Sequence, residues 1–187
     1  MSESESQRLD GARVAILVAE GTESVEFTEP KTALADAGAD VDVIGSETGN
    51  VQTVENDLQE AETVEVEQAI DDVSADEYDG LVVPGGTVGA DTLRFDDEIV
   101  SFVTEHVESG TPVGAICHGP WVLVEADVVD SRTLTSYPSL QTDIRNAGGE
   151  WVDEEVVTDE NLITSRKPDD LDAFCEAVVE AVAEDVA

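Results

Sequence analysis

The sequence predicts an α/β fold, a flavodoxin-like doubly wound sandwich with a mostly parallel sheet and helices on both faces. Short apolar runs, typical of strands buried on both faces, alternate with stretches of helical periodicity. Several helical stretches end at a glycine, as at Gly38 and Gly110. One strand leads directly into a sharp turn around Cys117, the pattern of a nucleophile elbow.

The first half of the chain predicts a right-handed βαβ start. Its predicted elements are a strand over 12–19, a helix over 26–37, and strands over 41–44, 51–54, 63–66 and 81–83. Residues 51–54 and 63–66 are weakly patterned, and we expect them to form an antiparallel excursion at the sheet edge.

The second half continues the alternation of helices and strands. Its predicted elements are a helix over 96–109, a strand over 113–116, the elbow helix, a strand over 133–136, a helix over 139–147, strands near 156–157 and 162–164, and a terminal helix over 168–182. We expect a single domain over residues 11–187, because no linker divides the chain. Residues 1–10 are polar and acidic, and we expect a disordered arm there.

The charge balance is extreme, with 45 acidic side chains, 8 basic ones and a formal net charge of -37. Such a surface repels nucleic acid and anionic membranes, so neither is an expected partner. Because 41% of the residues are hydrophobic, we expect a folded core under an acidic coat rather than disorder. The acids run from end to end of the chain. That pattern indicates adaptation to the salt-rich cytosol of a halophile more than an acidic module for one basic partner.

Cysteine and histidine usage limits the classes of site. Cys117 and Cys175 do not make a disulfide framework, and no apolar segment suits a signal peptide or membrane span, so the expected location is cytoplasmic. His106 and His118 are the two histidines, which supports a metal site poorly. Neither a dinucleotide fingerprint nor a P-loop is present, so no cofactor is expected.

The segment Gly114-Ala115-Ile116-Cys117-His118-Gly119-Pro120 carries the chemistry. A cysteine at the start of a helix lies in a field that favours thiolate over thiol, which makes it a nucleophile. Gly119 suits a tight turn, and Pro120 suits a first helical turn. The alternative is a small buried hydrophobic side chain, but the surrounding residues favour the nucleophile.

Ligands of doubly wound sheets bind beyond the carboxyl ends of the strands, which here indicates loops 20–26, 84–91 and 117–121. In the second loop, backbone N–H groups at Gly85 and Gly86 could face an oxyanion, although a tight turn is the alternative. The first loop and the adjoining helix start hold four acids, each of which also suits a helix N-terminus, and composition does not choose among them. They are Glu20, Glu23, Glu26 and Glu29.

Several segments together resemble the PfpI/ThiJ family, in particular its intracellular-peptidase and stress-protein branch within the class I glutamine-amidotransferase-like superfamily. The resemblance covers nearly the whole chain. It rests on the segments 18–26, 81–86, 115–120, 135–138 and 146–153.

The resemblance implies a nucleophile at Cys117, a histidine beside it at His118, and a carboxyl at Glu23 that hydrogen-bonds the thiolate. A carboxyl in that place has a raised pKa, because two adjacent negative charges repel, and it can shuttle a proton. His118 needs a carboxylate to orient it. The resemblance implies that Asp91 does so from a neighbouring subunit, and therefore a homo-oligomer, a dimer or a hexamer.

The resemblance also implies the substrate pocket. Gly86 and the backbone N–H of His118 would form the oxyanion hole. Gly85 and Tyr137 would line the binding site.

Three functions use these residues. Cys117 could act on a small carbonyl or a methylglyoxal-derived adduct, in a deglycase or glyoxalase-like reaction. It could instead acylate on a peptide bond as an intracellular peptidase. A non-enzymatic alternative is a redox sensor. The sharp elbow suits a small electrophile, so the first function is favoured.

Overall fold

Seven strands form the central sheet of the computed structural model, which describes residues 8–187. The strands of the chain are β1 (Arg13–Leu17), β2 (Asp40–Gly45), β3 (Gly49–Glu55), β4 (Gln59–Val66), β5 (Gln68–Ala69), β6 (Gly80–Val83), β7 (Val113–Ile116), β8 (Thr133–Leu134), β9 (Glu150–Trp151), β10 (Val156–Asp159) and β11 (Leu162–Ser165). The sheet order is β10-β11-β7-β6-β1-β2-β5, and only β10 runs antiparallel to its neighbour. This confirms the predicted doubly wound, mostly parallel sheet.

Helices cover both faces of the sheet. They are α1 (Ser24–Asp36), α2 (Thr87–Phe95), α3 (Asp97–Ser109), α4 (Pro120–Glu125), α5 (Gln141–Asn146) and α6 (Leu171–Asp185). On one face α1 and α6 pack together over a core that includes Phe27, Leu34 and Phe174. On the other face α3 and α4 pack over a core that includes Phe102 and Leu123. Each face of the sheet is therefore covered by helices and shielded from solvent, as is typical of a parallel sheet.

The segment after β2 forms an antiparallel hairpin, β3 with β4, outside the central sheet. The predicted antiparallel pairing is therefore observed. The hairpin docks on the loop after β1, because Gly21 donates to the Gln52 carbonyl at 3.0 Å and Val54 donates to the Thr22 carbonyl at 2.9 Å. Its tip, residues 56–58, is held at the carboxyl end of the sheet.

Most element boundaries differ from the prediction by a few residues, and two of the differences change the role of a segment. The loop expected over 84–91 is shorter, since α2 begins at Thr87. The expected arm also ends earlier than residue 10: Leu9 is fully buried, and its N–H donates to the Ala37 carbonyl at 2.8 Å. Residues 1–7 of that expected arm lie outside the described residues. One apolar side chain that fits the core is enough to hold the segment around it.

Candidate active site

Cys117 lies in a sharp turn between β7 and α4. Its φ of 61 places it in the left-handed region, which a non-glycine residue adopts at a cost. Its N–H donates to the Ser165 carbonyl at 3.0 Å, and Tyr137 donates to its carbonyl at 2.8 Å. These bonds hold the strained backbone and fix the direction of the side chain.

Glu26 is the carboxyl beside the thiol. It is fully buried in the first turn of α1, and its Oε1 accepts from the N–H of Gly85 at 3.1 Å. Burial is the main reason that its pKa rises to about 8, and the charge of Glu23 adds to the rise, while hydrogen bonds to Cys117 and Gly85 oppose it. At neutral pH the group is therefore mostly protonated and can donate a proton toward Sγ. Its other oxygen, Oε2, has no hydrogen-bond partner from residues 8–187.

Position 85 requires a glycine because it lies between the Cys117 thiol and the Glu26 carboxyl. A Cβ added there would come 2.9 Å from both the Cys117 Cβ and the His118 nitrogen, and 2.5 Å from Glu26 Oε1. Any side chain at this position would separate the thiol from the carboxyl. The structure therefore places the predicted substrate-binding residue Gly85 in the wall that brings Cys117 and Glu26 together.

Glu23 does not take the place predicted for it against the thiol. It precedes the first residue of α1, and its carboxylate accepts the N–H of Asn56 at 2.6 Å and of Asp57 at 3.0 Å. Both donors belong to the hairpin tip. Glu23 therefore anchors the hairpin, and Glu26, three residues later, faces Cys117.

The charge state of the free thiol also differs from the prediction. The pKa of Cys117 is raised above that of an ordinary thiol. Burial is the largest cause, and the charge of Glu26 is the second. A hydrogen bond from the backbone N–H of His118 acts in the opposite direction. Burial therefore favours the thiol over the thiolate at Cys117, the opposite of the direction expected from a helix N-terminus. The repulsion from Glu26 exists only while Glu26 is ionised, so the protonation of Glu26 affects how readily the thiol ionises.

His118 lies between the thiol and the hairpin. Its Nδ1 is 3.3 Å from Cys117 Sγ, and its Nε2 is 3.3 Å from the Thr87 hydroxyl oxygen. The N–H of Thr87 donates to Asp57 Oδ1 at 2.6 Å. Burial lowers the pKa of His118, and the charge of Asp57 partly opposes this.

Aromatic rings enclose His118 on two sides. The Tyr137 ring stacks on the imidazole with centroids 4.7 Å apart, and Trp121 meets it edge-on at 5.6 Å. Tyr137 is 40% exposed, so its ring lies on the solvent side of His118. Gly86 has φ 85, and a Cβ there would overlap the backbone of Gly21. The backbone of the predicted oxyanion-hole residue is thus held against the loop after β1.

Asp91 does not reach His118 of its own chain. Its carboxylate pairs with Arg94, with Nε and Oδ1 3.0 Å apart, and its side chain is 62% exposed. The Arg94 guanidinium lies over the Trp121 ring, 4.4 Å from the centroid. Asp91 therefore belongs to an exposed ion pair on α2 and does not contact His118 of its own chain.

Sequence reasoning named Glu26 only as one of four acids near the start of α1, and it did not name Asp57 or Thr87 as site residues. For Glu26 a signal existed, because it lies four residues before Pro30 and eight before Leu34, on the buried face of α1. No comparable local signal identifies Asp57 or Thr87, because the hairpin reaches the site only through tertiary contacts.

The fold agrees with comparisons to known proteins. Residues 12–181 match the profile of the DJ-1/PfpI family. The chain belongs to this family. The family resemblance expected from the sequence is thus confirmed, and it spans the whole central sheet.

Two DJ-1/PfpI relatives and one solved structure show how close the similarity is. YraA of Bacillus subtilis, provisionally named a cysteine protease, is 41% identical over 162 residues, 87% of this chain and 93% of that protein. Protein/nucleic acid deglycase 2 of Escherichia coli is 43% identical over 163 residues, 87% of this chain and 92% of that protein. Drosophila melanogaster DJ-1beta superposes with a TM-score of 0.84 at 30% identity, covering 94% of this chain and 93% of that one.

Metal-binding clusters and membrane-spanning helices are absent from the described part of this DJ-1/PfpI chain. Within residues 8–187, no three His, Cys, Asp or Glu side chains are grouped so that they could hold a metal ion. The helices of the same range include none that is long and apolar enough to cross a membrane.

Proposed function

We propose that this protein is a cysteine-dependent hydrolase that acts on glycated or small dicarbonyl-derived substrates, in deglycase or glyoxalase-like stress protection. One observation carries the proposal: the Cys117 thiol, the His118 imidazole and the buried Glu26 carboxyl meet at one point. A thiol, a base and a carboxyl that holds its proton at neutral pH are the groups needed to add sulfur to a carbonyl and then move a proton.

The first step of the proposed reaction forms a carbon–sulfur bond. His118 Nδ1 takes the thiol proton, and Sγ adds to the aldehyde carbon of a 2-oxoaldehyde, so that the carbonyl electron pair moves to oxygen. We assign the backbone N–H groups of His118 and Gly86 as the donors to that oxygen. With a glycated amine, Sγ instead displaces the amine from the carbinol carbon, and the amine leaves with a proton from Glu26.

The second step is an internal redox change that needs no outside oxidant. Glu26 enters this step as a carboxylate, because it has given its proton to the former aldehyde oxygen or to the departing amine. It removes the proton from the carbon bonded to sulfur while His118 gives its proton to the neighbouring carbonyl oxygen, which forms an enediol. Glu26 then protonates the neighbouring carbon and His118 takes back the proton of the hydroxyl on the sulfur-bearing carbon, which yields a thioester. Water then hydrolyses the thioester to a 2-hydroxycarboxylate and frees the thiol. One water is consumed for each substrate, and a glycated substrate also releases its amine.

The deglycase name of the Escherichia coli relative supports this reading, at 43% identity over nearly its whole length. A second candidate, an intracellular cysteine peptidase, is supported by the name of the Bacillus subtilis relative. The buried carboxyl favours the first reaction, because peptide cleavage needs no proton transfer between two substrate carbons. A redox sensor is less favoured, because the raised pKa of Cys117 reduces the thiolate on which oxidation depends.

The proposed functional unit is a homo-oligomer, a dimer or a hexamer. Asp91 can contribute to a site only from a second copy, because in its own chain it is paired with Arg94. Closed symmetric assembly would bring such exposed groups to a neighbouring site.

The test is a side-by-side assay in molar potassium chloride with methylglyoxal, a methylglyoxal-treated amine and an unfolded peptide. We expect turnover of the first two, and expect Cys117→Ala to abolish it. Cys175→Ala is the matched control, because Cys175 packs in α6 away from the site and its pKa is raised to about 12 by burial. Peptide cleavage without carbonyl turnover, or full activity in Cys117→Ala, would contradict the proposal.

A further inference from the structure

The hairpin tip carries a carboxylate into the site from a distant part of the sequence. Asp57 follows β3, and its Oδ1 accepts the N–H of Thr87 at 2.6 Å. Thr87 is the first residue of α2, so Asp57 satisfies an N–H that the helix itself cannot pair, at the end where negative charge is favoured. The hydroxyl of the same threonine faces His118 Nε2 at 3.3 Å.

The position of Asp57 is itself fixed by the fold. Asn56 and Asp57 have φ values of 52 and 63, in the left-handed region, which these two residue types tolerate better than most. Glu23 accepts both of their N–H groups, so the tip is tied to the start of α1. A carboxylate held in this way is preorganised rather than drawn in by the histidine.

We propose that Asp57, acting through Thr87, is the positioning residue that orients His118 within each chain. The Thr87 hydroxyl accepts the proton on Nε2, which leaves Nδ1 unprotonated toward Cys117 Sγ. The nearby charge of Asp57 stabilises the imidazolium that forms when Nδ1 takes the thiol proton. His118 then has an orienting carboxylate in its own chain, whether or not Asp91 of a second copy also reaches it. The expected effect on turnover rests on the proposed function. The contacts among Asp57, Thr87 and His118 do not depend on which substrate is bound.

The alternative is that Asp57 only caps the N-terminus of α2, and this alternative predicts a different outcome. If Asp57 only stabilises the N-terminus of α2, its loss lowers stability and leaves the His118 ring unchanged. The two roles therefore separate in a measurement made on the imidazole itself.

The decisive experiment is an NMR titration of the histidine rings in Asp57→Asn and Thr87→Val, with iodoacetamide alkylation of Cys117 followed over the same pH range. The chain has two histidines, and His106, buried in α3 with Nδ1 2.8 Å from the Phe102 carbonyl, serves as an internal reference. We expect a lower pKa for His118 in Asp57→Asn, a changed tautomer in Thr87→Val, a displaced alkylation profile in both, and no change at His106. These readouts need no turnover, so they remain valid if the substrate proposal fails.

The kinetic arm uses methylglyoxal. We expect kcat to fall about tenfold in Asp57→Asn and Thr87→Val, with KM within about twofold, because orientation rather than substrate binding is lost. Thr87→Ser keeps the hydroxyl and should retain most of the wild-type kcat. Asp40→Asn, an exposed change at the opposite end of the sheet, is the charge-matched control. The inference would be overturned if the His118 titration is unchanged in both Asp57→Asn and Thr87→Val. It would also be overturned if only Asp91→Asn displaces that titration.

Discussion

Glu26 shows what a single buried residue can do to the chemistry of a site. An ionised carboxylate out of water is costly, so the group keeps its proton to a pH well above that of an exposed glutamate. The same proton reduces repulsion of the neighbouring thiolate. Burial thus turns an ordinary acidic side chain into a proton donor and acceptor near neutral pH.

At the residue scale, we predict that Glu26→Gln removes a pH dependence of stability. A carboxyl whose pKa rises on folding, here from 4.5 to about 8, binds its proton more tightly in the folded chain. Its contribution to the free energy of unfolding is therefore full below about pH 4.5 and is lost as pH rises through about 8. Urea unfolding across that range should show wild type weakening relative to Glu26→Gln.

The same variant should lose turnover. Removing a group that moves a proton in the reaction typically costs about a hundredfold or more in kcat. Glu29→Gln is the matched control, since Glu29 is an exposed residue of the same helix. Parallel stability curves for wild type and Glu26→Gln would mean that the carboxyl is ionised in the folded protein.

At the scale of elements, the site depends on a junction between the β3–β4 hairpin and the start of α1. The hairpin lies outside the central sheet, so its place is set by contacts to the loop after β1 and by Glu23. Few apolar side chains of the tip are covered, and Leu58 is 91% exposed. Polar contacts therefore decide where the tip lies.

We predict that Glu23→Gln loosens the hairpin tip more than the rest of the fold. The amide presents one acceptor oxygen in place of two, so one of the N–H groups of Asn56 and Asp57 exchanges its partner for water, at a local cost of about 0.5–1.5 kcal/mol. Hydrogen exchange at these two amides should accelerate, while exchange in β1 and β7 stays near the wild-type rate. Glu60→Gln, an exposed change in β4, controls for lost charge. Unchanged exchange at the tip would show that Glu23 is not its anchor.

On the scale of the whole molecule, the acidic surface sets the conditions under which the fold is stable. A net charge of -37 on 187 residues makes the compact state repel itself. The screening length is about 10 Å at 0.1 M salt and about 3 Å at 1 M, so molar salt removes most of that repulsion. Subunit association should respond in the same way.

We therefore predict that the melting temperature rises steeply with potassium chloride up to roughly molar concentration. Calorimetry over a salt series measures this, and light scattering on the same samples reports whether the assembled mass rises with it. A melting temperature that is the same in dilute buffer and in molar salt would contradict the adaptation to salt expected from the sequence.

Much of the architecture was determined by the sequence alone. Strand and helix periodicities are local, so they predicted the parallel sheet, the hairpin pairing and most helices. The elbow is also local, because Cys117, His118, Gly119 and Pro120 are consecutive, and each residue suits its place in the turn. Local patterns of this kind need no knowledge of what packs against them.

Only the tertiary structure decided which acidic groups meet the cysteine. Glu23 and Glu26 have the same chemistry and are both buried, and only their partners separate them: Glu23 binds the hairpin tip, whereas Glu26 faces Cys117. Asp57 reaches the neighbourhood of His118 because a hairpin docks on another loop, and Asp91 is turned away by Arg94. Burial and distances between groups far apart in sequence arise from packing, which is why the elbow around Cys117 was predictable and the groups that face the cysteine were not.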